Sequence, residues 1–216
     1  MTIAREHKIN VRTTPYYHCI SRCVRRAFLC GQDDFSGKDY EHRKDWIVER
    51  IKQLTEVFAI EVAAYSIMSN HFHVVLYIDE AKAKAWEENE VIERWGKLFK
   101  KSLAAAYSNR EELHPAERQA ISQSISLWRN RLMDISWYMR CINETVARRA
   151  NQEDQCTGRF WEGRFKSQAL LDEGAFLTCM AYVDLNPIRV NIAQSPETSD
   201  YTSLQERIFQ HKAKTQ

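Results

Sequence analysis

The sequence predicts an α+β protein: an antiparallel sheet carrying helices, with extra helices between its hairpin and its last strand. Three observations predict it. Two β-rich runs, 60–68 and 71–78, are separated only by Ser69-Asn70, the pattern of an antiparallel hairpin. Ile47, Ile51, Leu54 and Phe58 recur at helical spacing within 39–57, just before that hairpin. A late run, Arg164–Leu171, reads as a strand and leads into an amphipathic helix over 172–186.

The elements follow in order. Tyr16–Ser21 is aromatic and β-rich, follows Pro15, and reads as a first strand. Gly31–Lys38 is loop-like. In the second hairpin strand, the two-residue period puts Phe72, Val74 and Leu76 on one face and His71, His73, Val75 and Tyr77 on the other. Residues 81–108 are rich in Ala, Lys and Glu and read as helical. Pro115 marks a new helix start, and 116–150 read as one or two further helices. Asn151–Gly158 is a polar loop. Asp172 is placed to cap the last helix, whose apolar side carries Phe176, Met180 and Val183, and Pro187 limits its far end. From Gln194 onward the pattern is polar, and the last part is expected to be loose. The order strand, helix, strand, strand, helices, strand, helix is that of a ferredoxin-like split βαβ domain with helices on one sheet face. The domain is expected over 1–193, with a helical insertion at about 103–150 and a polar C-terminal tail over 194–216.

The 216 residues are 44% hydrophobic and 28% charged, enough apolar material for a core and far from the composition of a disordered chain. The net charge is only +2, but it is unevenly spread. Arg5, Lys8, Arg12, Arg22, Arg25 and Arg26 crowd the first 31 residues against a single Glu6, whereas 79–93 is mostly acidic. Such a chain can present one basic face to phosphates, or merely solvated charge. The six cysteines form no C-x-x-C pair, which argues against a zinc knuckle. The polar, basic start is no signal peptide, and no apolar run is long enough to span a membrane. A cytoplasmic protein with free thiols is expected.

Four segments could carry chemistry. His71-Phe72-His73 aims two imidazoles at one point, and imidazole is the commonest metal ligand, suiting zinc as well as manganese. The commoner reading of an isolated H-x-H is an exposed pair on a solvated strand. Tyr182 and Asn186 are four apart and share a helix face, offering a phenol that can attack phosphorus and an amide oxygen that can bind a metal. They equally fit a packed tyrosine and an ordinary helix stop. Gly158–Lys166 mixes Arg159, Arg164 and Lys166 with Phe160, Trp161 and Phe165, which suits phosphate pairing and base stacking, or a loop anchored by core aromatics. Arg22-Cys23-Val24-Arg25-Arg26 fits a phosphate site or a solvated turn.

Their order along the chain is more specific than any one of them. Tyr17-His18-Cys19-Ile20-Ser21-Arg22, Met68-Ser69-Asn70-His71-Phe72-His73-Val74-Val75, Gly163-Arg164-Phe165-Lys166-Ser167 and Tyr182-Val183-Asp184-Leu185-Asn186-Pro187-Ile188-Arg189 follow one another. From about residue 15 to 192 this resembles the HUH-class single-tyrosine transposases, meaning the small insertion-sequence and REP-associated enzymes. The resemblance implies a transposase that nicks and rejoins single-stranded DNA beside hairpins through a 5′-phosphotyrosine. It implies Tyr182 as nucleophile and a Mg²⁺ or Mn²⁺ ion on His71, His73 and Asn186. Arg22, Arg25, Arg26, Arg159, Arg164, Lys166 and Arg189 are the expected DNA contacts, and the setting would be the nucleoid. Relatives usually close the motif with N-P-V-R-A-G; here it ends Asn186-Pro-Ile-Arg-Val-Asn191, and asparagine tolerates the left-handed conformation glycine would supply. The stretch 103–150 is longer than in the smallest relatives and would serve DNA binding or a homodimer.

Three other functions compete. A domesticated repeat-hairpin binder would not need the intact set His71, His73, Tyr182 and Asn186. A replication or conjugation nickase often carries its tyrosine early or in pairs, whereas Tyr182 is late and single. A zinc hydrolase would need a third strong ligand and a base, and there is no H-E-x-x-H. Tyr138, in Ser136-Trp137-Tyr138-Met139-Arg140, is the rival nucleophile but lacks the N-P turn.

Overall fold

A computed structural model describes residues 9, 13–24, 29–32, 37–99 and 114–215. Strands β1 (Tyr16–Arg22), β2 (Ile60–Ile67), β3 (His71–Ile78) and β4 (Lys166–Ala169) form one sheet in the order β2-β3-β1-β4, every neighbouring pair antiparallel. Helix α1 (Arg43–Thr55) connects β1 to β2, and the hairpin then returns β3 between them. This is the expected split βαβ arrangement.

Register decides what each face carries. His71, His73 and Val75 pair with Arg22, Ile20 and His18, so these six side chains share one face. Tyr17, Cys19, Phe72, Val74 and Leu76 alternate to the other face and are buried there. On that side α1 contributes Ile47, Ile51 and Leu54. Beside it lies α5 (Ile135–Glu153), contributing Ile135, Tyr138, Met139 and Ile142. Arg43, 1% exposed, ties the two helices together. Its guanidinium donates to Glu153 at 2.7 Å and to Asp154 at 2.5 Å, and lies 4.0 Å from the centre of the Tyr40 ring.

Helices α2 (Glu80–Ala85), α3 (Glu88–Leu98) and α4 (Pro115–Arg131) extend this core. Trp95 and Trp128 stack at 5.8 Å, joining α3 to α4. The described part of the 103–150 insertion is therefore packed into the core; its first part lies outside the described residues.

The opposite face is not open, as a sheet covered on one side would leave it. Helix α6 (Glu173–Asp184) lies across it, with Phe176, Met180 and Val183 against Ala64, Val75 and Leu170. The physical reason is the apolar residues on that face, which need cover. Asp172 caps α6 as expected, accepting from the Ala175 N–H at 2.7 Å. The helix ends at Asp184, before Pro187. The proline instead sits in the first turn of a separate short helix, α7 (Asn186–Arg189), where its missing N–H costs nothing. Asn191 then takes the left-handed conformation, φ 58°, as its sequence position predicts.

The polar tail is a second correction. A 3₁₀ turn (Pro196–Thr198) is followed by α8 (Ser203–Thr215), which packs beside β2. Ser203 accepts from the Tyr65 N–H at 2.9 Å and donates to buried Asp184 at 2.5 Å; Arg207 also donates to Asp184. The Tyr65 hydroxyl donates to Glu206 at 2.8 Å. Polar composition hides these contacts because each needs a particular distant partner. No helix among the described residues is long and apolar enough to cross a membrane.

Candidate active site

Where β1, β3, β4 and the end of α6 meet, a cavity of about 620 Å³ opens on the sheet face that carries the histidines. His71 and His73 form part of its floor, and Tyr182 and Asn186 come from above. Arg22, Arg164 and Lys166 line it as well. Residues more than a hundred positions apart thus converge because β1 is central, paired on one side to β3 and on the other to β4.

Two imidazoles stand 4.8 Å apart between ring centres. His71 Nδ1 lies 2.6 Å from Asn70 Oδ1. An amide oxygen only accepts, so the His71 proton sits on Nδ1 and its lone pair on Nε2. His73 is 3% exposed; its Nδ1 lies 2.9 Å from His18 Nε2, and its Nε2 is buried with no partner. Placing the proton on Nδ1, toward His18, leaves the Nε2 lone pair as the orphan. Two neutral imidazoles each with a free Nε2 lone pair fit a metal ligand pair, and a bound ion would satisfy the orphaned nitrogen. Asn186, 6% exposed, is the neighbouring oxygen donor. Among the described residues no three His, Cys, Asp or Glu side chains assemble as a metal site, and the near nitrogen of His18 is turned to His73.

Burial pushes His71 down to about 4, with the charge of Arg22 adding to it. His73 falls to about 3, again chiefly through burial, then through His71, His18 and Arg22. Both therefore stay neutral at pH 5, where an unfolded histidine, with its ordinary value of 6.5, takes up a proton. Between the two values the unfolded chain holds more protons, so stability falls as pH drops from 7 to 5 and goes on falling toward the folded values. His73 alone should cost about 2 kcal/mol over that interval. Metal-free denaturation at pH 7 and 5 measures it, and His73→Asn should flatten the dependence. Equal stability at the two pH values would contradict the burial of these rings.

Tyr182 is 40% exposed, with its ring centre 6.0 Å from that of His73 and 6.3 Å from that of His18. The Arg189 guanidinium lies 4.7 Å over the Tyr182 ring. A reachable phenol thus stands beside the imidazole pair and under a fixed positive charge. Tyr138 is different: it is fully buried against Phe58, its hydroxyl has no partner, and burial raises its pKa. It is a core residue. Tyr65 and Tyr77 belong to the sheet, as expected.

Of the predicted basic contacts, Arg22, Arg164 and Lys166 line the cavity and Arg189 adjoins Tyr182. Arg159 is exposed but does not line the cavity. Arg25 and Arg26 lie outside the described residues. In the 158–166 segment Phe160, Trp161 and Phe165 are buried, as core aromatics anchoring a loop would be, while Arg159, Arg164 and Lys166 are exposed. His18 was not among the residues picked out for the site. Strand alternation sets it on the face of Tyr16 and Ile20, and the pairing of β1 with β3 brings it against His73.

No family model matches the chain, and a search of curated proteins finds no relative. A solved structure of a REP-associated tyrosine transposase bound to a REP hairpin shares the fold. The TM-score is 0.56 over 96% of this chain and 86% of that one, at 10% sequence identity. The mixed α+β architecture with its four-stranded antiparallel sheet is thus one already seen in a tyrosine transposase.

Proposed function

We propose that this protein is a metal-dependent transposase that nicks and rejoins single-stranded DNA next to hairpins, using Tyr182 as nucleophile. The observation that carries this reading is the convergence of Tyr182, His71, His73 and Asn186 in one cavity rimmed by Arg22, Arg164 and Lys166. The shared fold with a transposase bound to a REP hairpin supports DNA as the partner.

His71 and His73, through Nε2, and Asn186, through its amide oxygen, would hold the ion. Bound Mg²⁺ or Mn²⁺ supplies positive charge that polarises the scissile phosphate and offsets its developing negative charge. Imidazole is an unusual ligand for Mg²⁺, which prefers oxygen, so Mn²⁺ is expected to support more activity. Arg22, Arg164 and Lys166 hold the flanking phosphates. The Tyr182 oxygen attacks phosphorus as the bond to the 3′-oxygen breaks. The phenol proton is lost and the departing oxygen gains one, leaving a 5′-phosphotyrosine and a free 3′-hydroxyl. Arg189 stabilises negative charge growing on the phenol oxygen. Because one ester replaces another, a second 3′-hydroxyl can reverse the step without ATP.

His18 has a positioning role in this scheme: it holds the Nδ1 proton of His73 and so directs Nε2 to the ion. His18→Phe keeps a ring but no acceptor, and should weaken Mn²⁺ binding about 10–100-fold by calorimetry or Mn²⁺ spin resonance. His18→Asn, which can still accept, should recover much of it. Equal Mn²⁺ affinity in wild type and His18→Phe would rule the role out.

The function is tested by incubating the protein with labelled single-stranded hairpin DNA from the flanks of its own gene and Mg²⁺ or Mn²⁺. A metal-dependent adduct on a denaturing gel, lost in His71→Ala, supports nicking. Tight binding without an adduct on any strand would favour a domesticated hairpin-binding protein.

A further inference from the structure

The last turn of α6 carries three consecutive side chains with three different surroundings. Successive residues of a helix project about 100° apart, so Val183 points down while its two neighbours point to either side. Val183 is buried against Ala64, Val75 and Leu170 on the sheet. Tyr182 is turned to the cavity, where only rings and a guanidinium adjoin its own ring: His73, His18 and Arg189. Where its hydroxyl stands therefore depends on how the helix presents its backbone. Asp184 is turned the other way and is buried.

The Asp184 carboxylate is held at both oxygens. Oδ1 accepts from Ser203 Oγ at 2.5 Å, and Oδ2 accepts from Arg207 Nη2. Both partners come from α8 and are themselves fixed to β2. Ser203 Oγ accepts from the Tyr65 N–H at 2.9 Å. The ladder of β2 with β3 slips between Val62 and Ala64, and Arg207 Nη1 donates to the carbonyl of the residue skipped there, Ala63, at 3.1 Å. Glu206, between them, accepts from the Tyr65 hydroxyl at 2.8 Å and pairs with Lys52 at 2.6 Å.

For stability alone this is a poor choice of residue. A carboxylate in a last turn opposes the helix dipole, and burying it costs desolvation. Apolar contact would hold the turn down more cheaply, as Val183 does. What two directed hydrogen bonds add is a fixed rotation of the turn about its own axis.

We propose that Asp184, gripped by Ser203 and Arg207, is a positioning residue for the reaction: it sets the rotation of the last turn of α6 and so aims Tyr182 into the cavity. The proposal rests on the nicking function above. It makes α8 a working part of the active site, although none of its residues lines the cavity. Misplacing a reacting group by about 1 Å can cost on the order of 10²-fold in rate.

The test uses the full chain with Arg207→Met, Arg207→Lys and Ser203→Ala, at a temperature where thermal melting shows each variant folded. Two quantities are read. The first is the rate of adduct formation at saturating hairpin DNA and Mn²⁺, with strand affinity measured separately by fluorescence anisotropy. The second is the fluorine resonance of Tyr182 in protein labelled with 3-fluorotyrosine, free of metal and DNA and assigned through Tyr182→Phe. Arg207→Met should slow adduct formation about 10–100-fold, leave strand affinity level and displace the Tyr182 resonance. Ser203→Ala, which alters no charge, should displace it too. Arg207→Lys, which still donates to Asp184, should recover most of both. An unchanged rate in Arg207→Met, or an unmoved resonance, reduces the cluster to a stabilising contact and overturns the role while the nicking function stands. No adduct from wild type on any strand overturns both.

Discussion

Tyr182→Phe will lower formation of the covalent protein–DNA adduct by on the order of 10⁴-fold or more, because among the described residues no other hydroxyl-bearing side chain lines the cavity. The ring stays, so its packing beside His73 and under Arg189 is kept, and only the attacking oxygen goes. Strand affinity should therefore change little while adduct yield collapses on a denaturing gel. Tyr138→Phe is the matched control. Its hydroxyl is buried without a partner, so removing it should leave the adduct intact and stability equal or slightly higher. An adduct that persists in Tyr182→Phe and disappears in Tyr138→Phe would overturn the assignment of the nucleophile and the alignment behind it.

Arg43→Met will cost about 3 kcal/mol of folding stability, the lower part of the range for breaking a buried ion pair. The guanidinium is buried, but Glu153 and Asp154 retain 32% and 26% exposure, and water will take up part of what they lose. At the size of this chain such a loss lowers the melting temperature by about 6–12 °C. Arg43→Lys keeps the charge but not the planar fork that reaches both carboxylates, so it should fall between the two. Catalytic parameters of the surviving folded fraction should be unaffected, since Arg43 sits on the sheet face opposite the histidines. A loss under about 1 kcal/mol would place this cluster with ordinary surface pairs.

Local signals made much of the fold legible. Strand alternation separated Phe72, Val74 and Leu76 from His71 and His73, and helical spacing located Ile47, Ile51 and Leu54, as observed. Asp172 and Asn191 were readable because caps depend on one residue and its immediate neighbours. Contacts set by long-range pairing were not. His18 meets His73 only through the register of β1 with β3. The second helical layer was hidden because Ala64, Val75 and Leu170 come from three separate runs, none of which announces an apolar face alone. Asp184 likewise has no local sign of burial; it is enclosed by Ser203 and Arg207, which come from a distant helix. For the candidate site, motif order along the chain pointed to Arg22, His71, His73, Arg164, Lys166, Tyr182 and Asn186, which line the cavity, but not to Glu162, which lines it too, and the hydrogen bonds that set each ring's orientation required the fold.

The segment that folds back also covers part of the edge at which this sheet could meet other chains. The outer side of β2 is an edge, and an uncovered edge is a template for another strand. Here Tyr201 accepts from the Ile67 N–H at 3.1 Å, Thr202 bridges Ser66, and Ser203 takes the Tyr65 N–H. At the other end β4 is only four residues long, which gives a newcomer little to pair with. Extension of the sheet along Tyr65–Ile67 is thus blocked in the folded chain. Heat or truncation that peels 201–203 from β2 would reopen that edge, making loss of these few backbone bonds the expected first step toward aggregation.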